Sequence, residues 1–346
     1  MKTLTLFAAP ILLAAPAFAQ FELPKPDESL APFAATVGHW EGKGTFSMDT
    51  VEERMPWTCT IELEPILDGF AYQETLDVDM GEIGHYHMMA IYTYDAAKSQ
   101  LVHIKTDNMG GTAMGLSQWV GNSLVSAGAG MFPQMDGSKL IGAERGVWAI
   151  DGDSSTLSIT MVSGDQAASI HVDGVMKRTN PKPMAVNASL RTNELIEPMK
   201  PLASMLGKWH MKGSMVMAPD APKMEIAGND DVFAFTGGHA IVANVIGEES
   251  EGFIYRAIGT MSWSESKSCW DHYSVDNMGV VTHSEWFQTD DETFVMMHSG
   301  SYMGEPYAER GTFKVGKDGP ISVWSDRFSG AGAGARVFEG TYSKAK

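Results

Sequence analysis

Along most of the chain, apolar and polar positions alternate in short runs, and helical periodicity is almost absent. Ala71–Met80, Tyr86–Tyr94, Gln100–Asp107 and Ser155–Val162 are rich in β-branched and aromatic residues. Gly, Asp, Asn and Ser separate them, a pattern that predicts an antiparallel meander rather than a parallel α/β design. One hairpin is explicit: Tyr92-Thr93-Tyr94, a turn through Asp95–Ser99, then Leu101–Thr106. A second runs Met261-Ser262-Trp263, a turn through Ser264–Lys267, then Trp270–Val275. Helical signals are confined to Leu30–Val37 and Pro201–Leu206, each just ahead of a Gly-x-Trp.

Those two hairpins belong to an internal repeat. Pro32, Gly38, Trp40, Lys43, Gly44 and Met48 recur 169 residues later as Pro201, Gly207, Trp209, Lys212, Gly213 and Met217. The same offset carries His103 to His272 and Asp107-Asn108-Met109-Gly110 to Asp276-Asn277-Met278-Gly279. Further on the offset shrinks to 165, where Ala143-Glu144-Arg145-Gly146 meets Ala308-Glu309-Arg310-Gly311. The chain is a tandem duplication, with domains expected at 20–180 and 200–346 and a Pro-containing linker at 181–199.

The N-terminus adds an address. Lys2, an apolar run over Leu6–Phe18 and Ala17-Phe18-Ala19 read as a signal peptide covering residues 1–19, so a periplasmic or secreted location is expected. No later stretch is apolar enough over sufficient length to span a bilayer. A net charge of −18 argues against a nucleic-acid partner, which needs a basic surface. The two cysteines, Cys59 and Cys269, one in each half, are compatible with a disulfide or with two buried thiols.

Four short motifs go further: Val37-Gly38-His39-Trp40-Glu41-Gly42-Lys43-Gly44, Leu67-Asp68-Gly69-Phe70, Tyr94-Asp95-Ala96-Ala97-Lys98 and Asp107-Asn108-Met109. In this order they resemble a group of bacterial calycin-like domains of uncharacterised function, and the Gly-x-Trp after a helical turn resembles lipocalins. Copy two departs where Trp263-Ser264 stands for Tyr94-Asp95. The resemblance implies an all-β chain of two tandem up-and-down antiparallel lipocalin-like barrels, each of about eight strands. It also implies structural roles for Trp40 and Trp209 as barrel plugs, with Arg145 and Arg310 packed across them. An interior of that kind either fills with side chains or holds one small apolar or amphipathic ligand, haem being one example. The alternatives are an enzyme (hydrolase, isomerase or lyase) and a protein-interaction module with packed barrels.

Candidate chemistry centres on the repeated His-x-x-x-Asp-Asn. On a strand, His103, Lys105 and Asp107 share one face, as do His272, Ser274 and Asp276, so each His/Asp pair is a candidate acid–base or ligand-facing group. Asn108 and Asn277 extend the ligand-binding set, against a purely local role in a turn. Val102 and Ile104 mark the opposite face as a competing core face. Arg145 and Arg310 offer anion binding as their second role. His85-x-His87 with Met88-Met89, and Met296-Met297-His298, invite comparison with copper ligands. Neither His85 nor His87 recurs in copy two, where Ile254 and Arg256 stand, so the 24 methionines are read as core filling and no metal is expected. No zinc-type Cys/His spacing and no Gly-x-Ser-x-Gly is present, and Gly330–Gly334 is not a dinucleotide fingerprint.

Overall fold

A computed structural model of the chain describes residues 24–48, 51–110, 112–133, 139–163, 169–183, 190–216, 222–250, 253–302, 305–316, 320–329 and 334–345. The expected signal peptide and Gly330–Ala333 lie outside them. Two compact units divide at Arg191/Thr192. Among the described residues, no helix is long and apolar enough to cross a membrane.

In the first unit, ten strands form a closed antiparallel ring. They are β1 (Gly38–Met48), β2 (Val51–Ile66), β3 (Ala71–Asp79), β4 (His85–Asp95), β5 (Gln100–Asp107), β6 (Thr112–Val120), β7 (Ser123–Pro133), β8 (Lys139–Asp151), β9 (Ser154–Ser163) and β10 (Ser169–Asn180). Sequential neighbours pair throughout, and β10 returns to β1. After the two-residue β11 (Arg191–Thr192), the second unit repeats the plan. Its strands are β12 (Gly207–Met215), β13 (Met224–Phe235), β14 (Ala240–Gly247), β15 (Arg256–Ser264), β16 (Cys269–Asp276), β17 (Val281–Asp290), β18 (Thr293–Tyr302), β19 (Glu305–Val315), β20 (Ile321–Ser329) and β21 (Ala335–Lys344). Pairing of β12 with β21 and of β13 with β14 closes that ring as well. Each barrel therefore has ten strands rather than about eight. The extra ones include β7, whose Ser-Ala-Gly-Ala-Gly stretch lacks the bulky β-formers that announce a strand.

Closure depends on facing glycines. Gly44 opposes Gly174 across β1 and β10, and Gly213 opposes Gly340 across β12 and β21. A Cβ on Gly44 would stand 2.0 Å from the Asp173 carbonyl oxygen, and one on Gly213 would stand 2.5 Å from that of Glu339. In the first barrel the Trp57 ring lies over the same glycines, 2.6 Å from a Cβ on Gly44 and 2.3 Å from one on Gly174. Only glycine lets two backbones and a ring meet so closely.

Short 3₁₀ segments, Glu28–Ala35 and Glu197–Met205, precede each first strand and supply partners for the two tryptophans. Trp40 donates Nε1–H to the Thr36 carbonyl at 2.8 Å, and Trp209 donates to Met205 at 2.8 Å. Both rings are buried. The cation over Trp40 is Arg178, at 5.4 Å, which also donates to the carbonyls of Ala35 and Val37 and to Asp153. Lys344 lies 5.2 Å over Trp209. Arg145 and Arg310, expected in this role, are instead exposed. Each follows a glutamate whose carboxylate points inward, and strand alternation turns the next side chain out.

Cys59 and Cys269 are both buried, unbonded thiols. Burial, foremost, raises them to about 12 and about 11, which makes both poor nucleophiles. Thiol titration of native protein is expected to find neither promptly reactive and to find two after denaturation. Fewer than two would restore the disulfide. Gly44→Val is expected to cost about 3 kcal/mol or more by denaturant unfolding, because its side chain would overlap main chain. An unchanged midpoint would refute this account of closure.

Candidate functional site

The first barrel encloses a cavity of about 180 Å³. Its wall is mostly apolar, with Phe46, Trp57, Leu76, Met88, Trp148 and Met161 among the lining residues. Strand alternation then delivers a polar group to one region: Glu74 from β3, Tyr86 and Tyr92 from β4, His103 and Lys105 from β5, and Glu144 from β8. Thus the His103/Lys105 face of β5 is the interior face. Val102 and Ile104, on the other side, are buried too.

Each polar group is matched. Lys105 Nζ donates to both Glu144 oxygens at 3.0 and 2.9 Å, a bridge between β5 and β8. Tyr92 donates its hydroxyl proton to Glu74 at 2.7 Å. Burial raises the Glu74 carboxyl above its usual range, opposed by the Tyr92 hydrogen bond and the Lys105 charge. Burial also lifts both tyrosines well above 10. His103 Nδ1 meets Ser117 Oγ at 3.0 Å, and its ring lies over Gly115, where a Cβ would approach Cε1 to 2.4 Å. Burial, then the Lys105 charge, lowers this imidazole to about 4, so it is neutral at physiological pH.

The expected His/Asp pairs are not formed. Asp107 accepts from the Tyr86 hydroxyl at 3.1 Å and from the Met109 N–H at 2.9 Å. Asp276 accepts from Tyr255 at 3.2 Å and from the N–H groups of Met278 and Val280. His272 Nδ1 meets Ser284 Oγ at 2.7 Å. His/Ser and Tyr/Asp pairs therefore replace His/Asp, because the aspartate at the strand end is drawn into its own turn. Asn108 is similarly structural: it accepts from the His87 N–H at 3.0 Å and donates to the His85 carbonyl at 2.9 Å. Asn277 does the same for Arg256 and Ile254.

Register aligns the two interiors position by position. The pairs His103/Gly115, Ser126/Gly146 and Ile159/Val172 correspond to His272/Ser284, Met296/Gly311 and Ser325/Phe338. Hence Ser117 becomes Trp286, Leu124 becomes Phe294, Ser126 becomes Met296 and Val172 becomes Phe338. Trp286, Phe294, Phe313, Phe338 and Tyr342 are essentially inaccessible to solvent, and Trp286 packs on Phe313 with centroids 4.3 Å apart. The charged set is dismantled as well: Glu74, Tyr92 and Lys105 become Ala243, Met261 and Ser274. Glu309 keeps the place of Glu144 but is bound by Arg327 at 2.8 Å and by Ser325.

Sequence reasoning found His103 and Lys105 but missed Glu74, Tyr92 and Glu144. Glu144 shares strand parity with Gly146 and the inward Trp148, and that parity was the available signal. On the outer wall, β3 and β4 bring Asp77 to His85 and His87.

A family model described as "protein of unknown function (DUF1579)" matches residues 25–178 and again 197–344. Among solved structures, a protein from M. tuberculosis, Rv2717c, is similar at 15% identity over 45% of this chain and 99% of its own, with a TM-score of 0.34. A protein of unknown function from the DUF3598 family of Nostoc punctiforme is similar at 11% identity, covering 92% of this chain and 100% of its own, TM-score 0.26. A putative outer membrane protein from Bacteroides fragilis is similar at 10% identity over 90% and 99%, TM-score 0.24. None of these three bears on function at such scores. No curated protein matches.

The buried neutral imidazole carries a pH signature. Between about 4 and 6.5 the unfolded chain binds a proton at His103 that the folded chain does not. Its stabilising contribution is complete above pH 6.5 and is lost as pH falls toward 4, by about 3 kcal/mol in all. Unfolding free energies of wild type and His103→Gln, measured from pH 4 to 7, are expected to diverge by that amount. Parallel curves would show that His103 is solvated.

Proposed function

Since the chain belongs, in both halves, to the family described as protein of unknown function (DUF1579), we propose a role from its interior chemistry: it is a binding protein that holds one small amphipathic molecule inside the first barrel. The observation that carries this is the roughly 180 Å³ space, apolar except for one polar cluster, in a barrel whose duplicate carries Phe294, Met296 and Phe338 where this one has Leu124, Ser126 and Val172. A well-packed interior tolerates few voids of that size. An apolar cavity of about 150 Å³ accommodates benzene, which sets the ligand's scale at a single ring or a short chain. A macrocycle of haem's size exceeds it, since even drug-sized ligands occupy about 300–1,000 Å³.

The headgroup follows from the charges. Lys105 and Glu144 already neutralise each other, so a charged ligand would strand one of them. A neutral hydroxyl or amide, able to donate to Glu144, Glu74 or a tyrosine oxygen and accept from Lys105, fits the set. Ligand capture suits these residues better than acid–base turnover, because the imidazole is neutral and engaged with Ser117. An exported location is supported by the residue pattern of Met1–Gln20.

Phenol is a suitable probe, read by the fluorescence of Trp57 and Trp148, which line the cavity. Saturable quenching is expected for wild type. The double variant Leu124→Phe/Ser126→Met, which installs the side chains of Phe294 and Met296, is expected to weaken binding at least tenfold while keeping its fold. Equal binding by the filled variant overturns the proposal. So does the absence of both phenol binding and any co-purifying molecule in native mass spectrometry.

A further inference from the structure

We infer that the first barrel carries a second, independent site on its outer wall, where Asp77, His85 and His87 hold a divalent first-row transition ion. The antiparallel register sets Asp77 opposite His87, and His85 lies two residues away on the same face. Because Leu76, Val78, Tyr86 and Met88 line the cavity, these three side chains point outward.

Asp77 Oδ1 stands 3.4 Å from His85 Nδ1 and 3.2 Å from His87 Nδ1. All three ligand atoms lie within 4.8 Å of one another. A tetrahedral ion with bonds of about 2.0–2.1 Å has ligand–ligand edges of about 3.3 Å, which the two carboxylate–imidazole distances match. The two imidazoles are stacked at 15° with centroids 5.8 Å apart, so they present their nitrogens side by side. His87 Nδ1 is shielded from solvent and makes no hydrogen bond, although the carboxylate oxygen lies 3.2 Å away. An ion seated among the three atoms satisfies it.

The site is also held in place. Asn108 bonds the main chain of both histidine residues, so the backbone that carries the two ligands is held before an ion arrives. Two imidazoles and one carboxylate suit Zn²⁺, Ni²⁺ or Cu²⁺ over Ca²⁺ or Mg²⁺. Three protein ligands leave a position for water, beside a groove that Asp77 and His85 share with Asp79, Thr58 and Thr60. The second barrel lacks the set: Ile246 and Arg256 occupy the Asp77/His87 pairing, and the guanidinium repels a cation.

The test uses the full chain, stripped with a chelator and titrated calorimetrically with Zn²⁺ alone. One ion per chain is expected. His85→Ala, at an exposed position, and Asp77→Asn, at a half-buried one on the outer wall, are each expected to weaken binding at least tenfold. Glu285→Gln, which disables the other ligand-rich cluster of Cys269, Asp271 and Glu285, is expected to leave it unchanged. No uptake of Zn²⁺, full affinity in His85→Ala, or loss in Glu285→Gln would each overturn the inference. Phenol binding in the interior is independent of all three variants.

Discussion

Hydrogen-bonded closure of ten antiparallel strands is the constraint on which the rest of each barrel depends. It removes every free edge, and it commits alternate side chains of all ten strands to one shared interior. Closure itself is made possible where the first and last strands meet, at glycines that allow main chain to approach main chain. Once the ring is shut, each inward residue competes for a volume fixed by strand number, and each residue next to it is turned outward. The exposure of Arg145 and the inward position of Glu144 are two results of one geometric rule.

Two copies of one ring have met that volume requirement differently. The second packs Trp286, Phe294, Phe313 and Phe338 into its interior and retains one glutamate bound by Arg327. The first keeps serine, leucine or valine at the equivalent positions, except that Trp148 stands for Phe313, and it retains space beside the Lys105–Glu144 bridge. Burying that bridge lowers stability relative to a hydrophobic pair unless its hydrogen bonds are complete, and here both carboxylate oxygens are engaged. Divergence therefore runs from a cavity beside a Lys–Glu bridge to an interior that holds Trp286, Phe294 and Phe338 with Glu309 and the buried Asp230.

Much of this was legible in the residues. The duplication, the all-β class and the strand at Gln100–Asp107 followed from spacing and alternation, and the structure keeps them. Strand number was not, because β7 is built from small residues whose contribution is ring closure rather than packing. The partners of His103 were not legible either. Four residues of separation on one strand place His103 and Asp107 on the same face, but Ser117 and Tyr86 reach them from neighbouring strands, and pairing across strands is not written in local sequence. The same holds for Asp77, which becomes a neighbour of His87 only through the register of β3 on β4.

The Asn108 and Asn277 clamps bear on the history of the chain. Each side-chain amide substitutes for a stretch of neighbouring strand, bonding two main-chain groups at the start of the strand beside it. The device, its adjoining Tyr/Asp pair, the facing glycines and the inward glutamate occur in both halves, so they were present in the single ancestral barrel before it was copied. Glu74, Lys105, His85 and His87 occur in one half only, so the difference at these positions arose after that event, by loss in one copy or gain in the other. The ancestor can thus be sketched from one living sequence: a ring already stapled at its turns, with a carboxylate inside it, before the exchanges that made its two descendants unlike.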